Sequence, residues 1–538
     1  MLGIAVFIVI AAVIYFTVRP EFPGLEKIAT RYENKPLGYK FGTEYFLETD
    51  NSKEELMTRF VSDEVEIDIF YDNFEDNPDI TVDNYNIFGN KGVIKSKQFD
   101  LIEYTTMEPT DLKTAKKLYK KEHKDELENN KELDDSIFDY TVMRYSREKI
   151  DRIDKDKNFY TTVSIPRSDK EVYTIMIKSE FPDVDYKRVL KGFKMIPKKG
   201  EPVKHKTESK LAERQFNQKT QEFIDRVFLN NEKKIFGIYE ETMENPRKES
   251  VHFENLESIE EKLDYEFEVL LSYSTTTVFQ DGFGPLKQKL FKEVKDRGKV
   301  LELTFSTFEG GPAIDKQDDK TLDVLAGKYD DFLKEYAENF KAHEDPILFR
   351  INNEMNGDWV SYCTFHLGKD PQLFIETYRY IHDFFEKEGV DNLIYVFNPN
   401  EKSFPDFSYN KYLAYYPGDD YVDVVGLTAY NTGSYYEGEK WRSFDEAYRP
   451  LYDEYDARFG QPFMITEFGS SSIGGDKVEW LKDMFISIQD YPKIDVAVFW
   501  NSTDWDEKDG KKVPARPYKI DENEETTQAA KEGLSMYK

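Results

Sequence analysis

A single cysteine, Cys363, stands in 538 residues. That excludes an intrachain disulfide and argues against a thiolate metal site, leaving packing as the residue's role. Histidine is scarce too: the six present show no paired spacing such as His-x-x-x-His, so no metal and no cofactor is expected. Positive charge is in deficit, with 74 Lys and Arg against 105 Asp and Glu and a formal net charge of -31. A phosphate backbone exchanges its counterions for clustered Lys and Arg, so no nucleic acid is expected as a partner and a neutral substrate fits better.

What the chain does have is apolar material for large cores, 39% hydrophobic residues with 41 Phe and 36 Tyr. Its length predicts two to four domains. Residues 1–18 read as an N-terminal transmembrane anchor or a signal, because Leu2–Val18 carries no charge and sits at the short limit for spanning a bilayer. No basic residue precedes that run and no Ala-x-Ala site follows it, which favours an uncleaved anchor with the rest of the chain extracellular; a secreted form is the alternative.

Residues 21–197 read as an α+β accessory domain of unknown role. Val65–Phe70 and Phe159–Ile165 alternate with period two, as half-buried antiparallel strands do, while Lys113–Lys124 reads as a solvated helix. Val172–Ile177 as a strand and Tyr186–Phe193 as a helix complete it. A polar break from Pro197 to Lys206 carries Pro and Gly and marks the boundary.

From residue 205 to 538 short apolar strands alternate with amphipathic helices eight times. The strands are Ile235–Tyr239, Phe267–Leu271, Val300–Phe305, Ile347–Ile351, Leu393–Phe397, Val422–Leu427, Phe463–Ile465 and Val496–Trp500. Helical spacing appears in Leu325, Tyr329, Phe332, Tyr336 and Phe340, and again in Trp480, Leu481, Met484, Phe485 and Ile488. This rhythm predicts an α/β chain built on a closed (β/α)8 TIM barrel, with active residues at the C-terminal ends of its strands. An open doubly wound sheet would need a Gly-rich turn after the first strand, and Tyr239-Glu-Glu-Thr-Met-Glu has none.

On that map Glu354, in Arg350-Ile-Asn-Asn-Glu-Met-Asn-Gly-Asp-Trp359, follows strand four, and Glu467, in Met464-Ile-Thr-Glu-Phe-Gly469, ends strand seven. Two carboxylates on one rim can divide acid and nucleophile work on a glycosidic bond. Tyr430 and Asn431 follow strand six, while Trp359, Trp500 and Trp505 fall on rim segments, offering flat apolar surfaces to sugar rings. Trp480 reads as core.

Strand four, Asp420–Asn431, Ile465–Gly469 and Val496–Trp500 together resemble glycoside hydrolase family 26, over about residues 205–538. That is a clan A family of retaining enzymes, chiefly endo-β-1,4-mannanases with some β-glucanases and xylanases. The resemblance implies Glu354 as acid/base, Glu467 as nucleophile, Tyr430 orienting that nucleophile, Arg350 beneath the pair and Trp500 as an aromatic floor. The residue before the acid/base is usually His in the family; here it is Asn353, as in most other clan A families, where the amide reaches the sugar 2-hydroxyl. Mannose and glucose differ at that hydroxyl. The expected function is therefore an endo-acting, retaining hydrolase of a neutral β-linked polysaccharide. Its alternatives are a β-1,3/1,4-glucanase of the same fold or a catalytically weak surface glycan-binding protein.

Overall fold

The computed structural model describes residues 21–124, 134–230, 233–276, 283–311 and 313–538. The expected anchor, residues 1–18, lies outside them. Among the described residues no helix is long and apolar enough to cross a membrane. The chain separates into two compact units, residues 1–204 and 205–538.

The first unit is α+β. Its antiparallel sheet has seven strands in the spatial order Glu48–Asp50, Met57–Val61, Val65–Asn73, Glu171–Ser179, Phe159–Pro166, Tyr140–Arg147 and Phe99–Met107. A separate three-stranded sheet joins Thr30–Asn34, Tyr39–Thr43 and Phe193–Met195. The alternating runs form strands as expected, but Glu171–Ser179 is buried along its whole length, not on one face. It is the central strand, and helix Val82–Lys95 belongs to the same unit. The helix beginning at Tyr186 stops at Lys191, because Gly192 ends it and Phe193 enters the small sheet.

The second unit is a closed barrel of eight parallel strands. We number them β1 Ile235–Glu240, β2 Val269–Thr275, β3 Val300–Ser306, β4 Ile347–Ile351, β5 Leu393–Phe397, β6 Val424–Asn431, β7 Phe463–Ser470 and β8 Ile494–Asn501. β8 returns to β1 in register from Val496 opposite Ile235 to Asn501 opposite Glu240. β4 and β5 are buried at every position, the pattern of strands covered on both faces. Leu271, Leu348, Ile394, Val396, Val424, Met464, Val496 and Val498 fill the interior. Phe223, Ile224, Val227 and Phe228, on the helix Gln218–Ile224 and the π turn that extends it, join the same core beside Ile235.

The outer helices are α1 Glu254–Leu263, α2 Gly284–Asp296, α3 Asp330–His343, α4 Pro371–Lys387, α5 Phe444–Asp456, α6 Lys477–Ser487 and α7 Glu524–Leu534. Side-chain caps start them where the sequence provides one: Asp370 before Pro371, Ser443 in a capping box with Glu446, Asp476, and Asn523. The expectation of eight alternating helices fails after β5, where the described crossover has only 3-10 turns at Ser408–Asn410, Tyr412–Tyr415 and Asp419–Tyr421. Pro399, Pro405 and Pro417 deny that stretch the amide donors a helix needs. The stripe from Leu325 to Phe340 likewise splits into Thr321–Leu325 and α3.

Candidate active site

β4 ends at Ile351, and the chain then turns sharply: Asn352 and Glu354 have φ of 53° and 51°. Asparagine tolerates this left-handed region, but a glutamate there stores about 1–3 kcal/mol that surrounding bonds must hold. They do so at both residues. The Glu354 amide donates to the Asn398 carbonyl at 2.7 Å, the Asn352 amide to Phe305 at 2.9 Å, and the Asn352 side chain accepts from the Thr307 amide at 2.8 Å. The turn lifts the partly buried Glu354 carboxylate onto the rim, where it accepts from Asn400 Nδ2 and, at 3.3 Å, from Trp359 Nε1.

Glu467 reaches the same rim by another device. It does not follow β7 but lies within it, and the pairing register with β6 slips: Leu427 faces Ile465, and Thr428 faces Glu467. The unopposed Thr466 is a bulge, which reverses the alternation of faces. Met464 points into the core below, yet Glu467 three residues later also turns inward. Gly426 makes room, since a Cβ there would come within 2.6 Å of Thr466 and 2.9 Å of Asn398.

Four donors converge on the Glu467 carboxylate. Arg350 Nη1 at 2.8 Å and Asn353 Nδ2 at 3.3 Å reach Oε1; the Tyr273 and Tyr430 hydroxyls reach Oε2 at 2.7 and 3.0 Å. Burial and the neighbouring carboxylate hold both phenols well above the ordinary tyrosine range, so both stay protonated and donate. Burial and then the charge of Glu467 push the Glu354 carboxyl up to about 7, against the lowering effect of Asn400. One acid is thus proton-bearing near neutrality and the other is furnished with donors suited to a carboxylate.

Arg350 lies beneath the pair, fully buried, with Nη1 also donating to Asn398 at 2.8 Å and its guanidinium 5.6 Å from the Tyr273 ring centroid. Burial alone would favour loss of its proton, but Glu302 and Glu467 more than offset that and its pKa is raised. Arg350→Met is expected to destabilise the barrel by about 3–5 kcal/mol, since it strands buried charge. A denaturant midpoint equal to that of the wild type would refute that role.

Asn353 is fixed by the Tyr362 hydroxyl, which donates to its carbonyl at 2.8 Å. Trp500, near the end of β8, stacks on Tyr239 with centroids 5.7 Å apart and meets Tyr430 and Tyr518 edge-on. Trp359 packs 5.5 Å from Phe404 and occupies the space a Cβ on Gly357 would need. Trp505 does not join this cluster: it sits on the hairpin Thr503–Lys508, 47% exposed, with the Lys512 ammonium 4.8 Å from its ring. Trp480 is core, as expected, and Cys363 is buried with its Sγ 3.1 Å from Asn410 Oδ1. Among the described residues no cluster of three or more His, Cys, Asp or Glu could hold a metal.

Tyr273, Asn398, Asn400 and Glu302 escaped the reading of the sequence. Asn398 is a polar residue directly after the apolar strand β5, the same signal that marked Glu354, whereas Tyr273 lies inside β2, two residues before its end.

Comparison with known proteins bears on this arrangement. The family model for Glycosyl hydrolase family 26 matches residues 282–449, a stretch that includes Glu354 and Tyr430 and ends before β7. Endoglucanase H of Acetivibrio thermocellus is 32% identical over 219 residues, 39% of this chain and 23% of that one. A mannan endo-1,4-beta-mannosidase of Bacillus subtilis is 31% identical over 236 residues, 41% of this chain and 52% of that one. This chain therefore spans about a quarter of the first relative and about half of the second. Among solved structures, the catalytic domain of a family 26 endo-beta-1,4-mannanase from Bacillus sp. JAMB-750 is 17% identical, covering 62% of this chain and 93% of that one with a TM-score of 0.44. Residues 282–449, within the barrel unit, match the model of glycosyl hydrolase family 26.

Proposed function

We propose that the barrel is an endo-acting, retaining glycoside hydrolase that cleaves a neutral β-linked polysaccharide by double displacement. One observation carries this reading: Glu467 receives four hydrogen bonds, while Glu354 on the same rim keeps its proton to about 7. Glu467 attacks the anomeric carbon as the bond to the leaving oxygen breaks, and the Glu354 proton goes to that oxygen. The Glu467 ester removes the charge that held up the Glu354 pKa, so Glu354, having given its proton to the leaving oxygen, stays ionised and is available as the general base. It then takes a proton from water, the resulting hydroxide attacks the anomeric carbon, and the ester bond breaks to restore the Glu467 carboxylate.

Trp500, stacked on Tyr239, is the platform for one sugar, and Trp359 with Phe404 extends an aromatic surface outward from the acid. A β-mannan is the leading substrate. A β-glucan is the second, favoured by Asn353 beside the acid and by the relative named an endoglucanase. Incubating the full chain with β-mannans, β-glucans and xylan decides between them, and NMR of the first product reads the anomer. Initial release of the α-anomer would exclude the nucleophile role of Glu467, because double displacement through a Glu467 ester inverts the anomeric carbon twice and returns the β-anomer from a β-link. No product on any of these glycans would favour a glycan-binding role instead.

Residues 1–18 keep their reading as an anchor or signal. Carbonate-resistant sedimentation of the full chain with membranes is the result expected of an anchor, and a fully soluble chain would remove it.

A further inference from the structure

Glu302 is a carboxylate in the wrong surroundings. It is the third residue of β3, its register neighbours on β2 and β4 are Leu271 and Leu348, and both of those lie in the barrel's interior core. Its side chain is fully buried. The polar group within reach is Arg350, whose Nε lies 3.1 Å from Glu302 Oε1, and neither carboxyl oxygen accepts a well-aligned hydrogen bond. An ionised carboxylate so placed is costly unless a partner neutralises it.

One guanidinium faces two carboxyls. Glu467 holds its share through Arg350 Nη1 and adds Asn353, Tyr273 and Tyr430; among the described residues Glu302 has the misaligned Nε alone. The charged and titratable groups around Glu302 are Arg350 from β4, Glu467 from β7 and the neutral Tyr273 phenol from β2, over whose ring Arg350 lies. A site with one buried positive charge favours one negative charge, and Glu467 is the better solvated of the two.

We infer that Glu302 is a positioning residue that carries a proton while the enzyme works: as a neutral acid it leaves the Arg350 charge to the nucleophile, and on ionising it draws that charge away. The inference rests on the hydrolase reading. Burial pushes the Glu302 carboxyl up to about 8, with the Arg350 charge opposing and Glu467 adding to it. The switch therefore lies one step above the loss of the Glu354 proton near 7. Activity should decline in alkaline solution through two ionisations, the second of which belongs to no group that touches the sugar.

Glu302→Gln keeps the shape and cannot ionise. The test is kcat/KM of the full chain from pH 5 to 10 for wild type and variant, with thermal unfolding midpoints over the same range. The variant is expected to lose some activity at pH 6. At pH 9 its relative decline should be about tenfold smaller than that of the wild type, its alkaline slope approaching one where the wild type approaches two. Unfolding supplies a readout that needs no turnover. The unfolded carboxyl releases its proton near about 4.3 while the folded one keeps it to about 8, so wild-type stability should fall across that window relative to Glu302→Gln. Parallel stability curves with equal alkaline slopes would overturn the inference and leave the hydrolase reading intact. A wild type that cleaves no glycan would instead remove that reading, and with it the catalytic meaning of Glu302.

Discussion

Glu467→Ala is expected to lose about 10^4-fold or more in turnover, the scale at which removing a nucleophile that works as part of a unit abolishes the chemical step. The loss should fall on kcat, since the sugar platforms Tyr239, Trp500 and Trp359 remain in place. Azide discriminates the role. With the carboxylate gone, the anion can enter from the vacated side and attack the anomeric carbon directly, so a β-linked aryl glycoside should give an α-glycosyl azide and recover part of the rate. Recovery with a β-azide product, or a variant that keeps more than a hundredth of wild-type turnover, would assign the attack to another group. The fold should survive the change better than it survives Arg350→Met. Removing Glu467 leaves Arg350 with Glu302, and the Glu302 carboxyl, whose proton Glu467 helps retain, can then ionise and take up the pairing.

The barrel is legible because each strand is built mainly of apolar residues, and such a run needs cover on both faces wherever it lies. Strand ends were less so. Val422–Leu427 was cut at its last apolar residue, yet β6 begins at Val424 and goes on to Asn431, since Thr428 and Tyr430 keep pairing with β7 as their side chains enter the site. The bulge at Thr466 left no local trace: Met-Ile-Thr-Glu has no glycine or proline, and only the register against β6 reveals that Glu467 has changed face. Glu354 was found as a polar tip after an apolar run, though its left-handed backbone was not. Asn398 follows Leu393–Phe397 in the same way and binds both Arg350 and the Glu354 amide, but an uncharged amide after a strand does not stand out in sequence. Glu302 carried a louder signal than either, an acid between Leu301 and Leu303 inside a strand with no room for solvent. Trp505, which the sequence places on a rim segment, lies 47% exposed on the strand Thr503–Lys508 that follows β8.

Glu354→Gln is expected to lower turnover by about 10^2–10^4-fold on a polysaccharide and much less on a glycoside whose leaving group needs no proton. The pH profile gives the sharper sign. A general acid works while it holds its proton, so with the Glu354 carboxyl raised to about 7, kcat/KM should stay high below that pH and fall as pH rises through it. The causes of the shift predict how to move it. Trp359 Nε1 donates to Glu354 Oε2 and favours the ionised form, so Trp359→Phe should carry the alkaline limb to higher pH. Glu467→Gln should carry the same group lower, because the charge that opposes its ionisation is gone, and a pH titration of Glu354 in that inactive variant by carboxyl-labelled NMR can read it directly. If Trp359→Phe shifts the limb downward, Trp359 does not stabilise the ionised Glu354; if Glu354 titrates at the same pH with and without the Glu467 charge, the two carboxylates are not coupled and one of them is not part of the reaction. If both shifts have the expected sign, the proton that leaves with the first sugar is the one held by the turn after β4, and the charge that holds it there is the nucleophile's own.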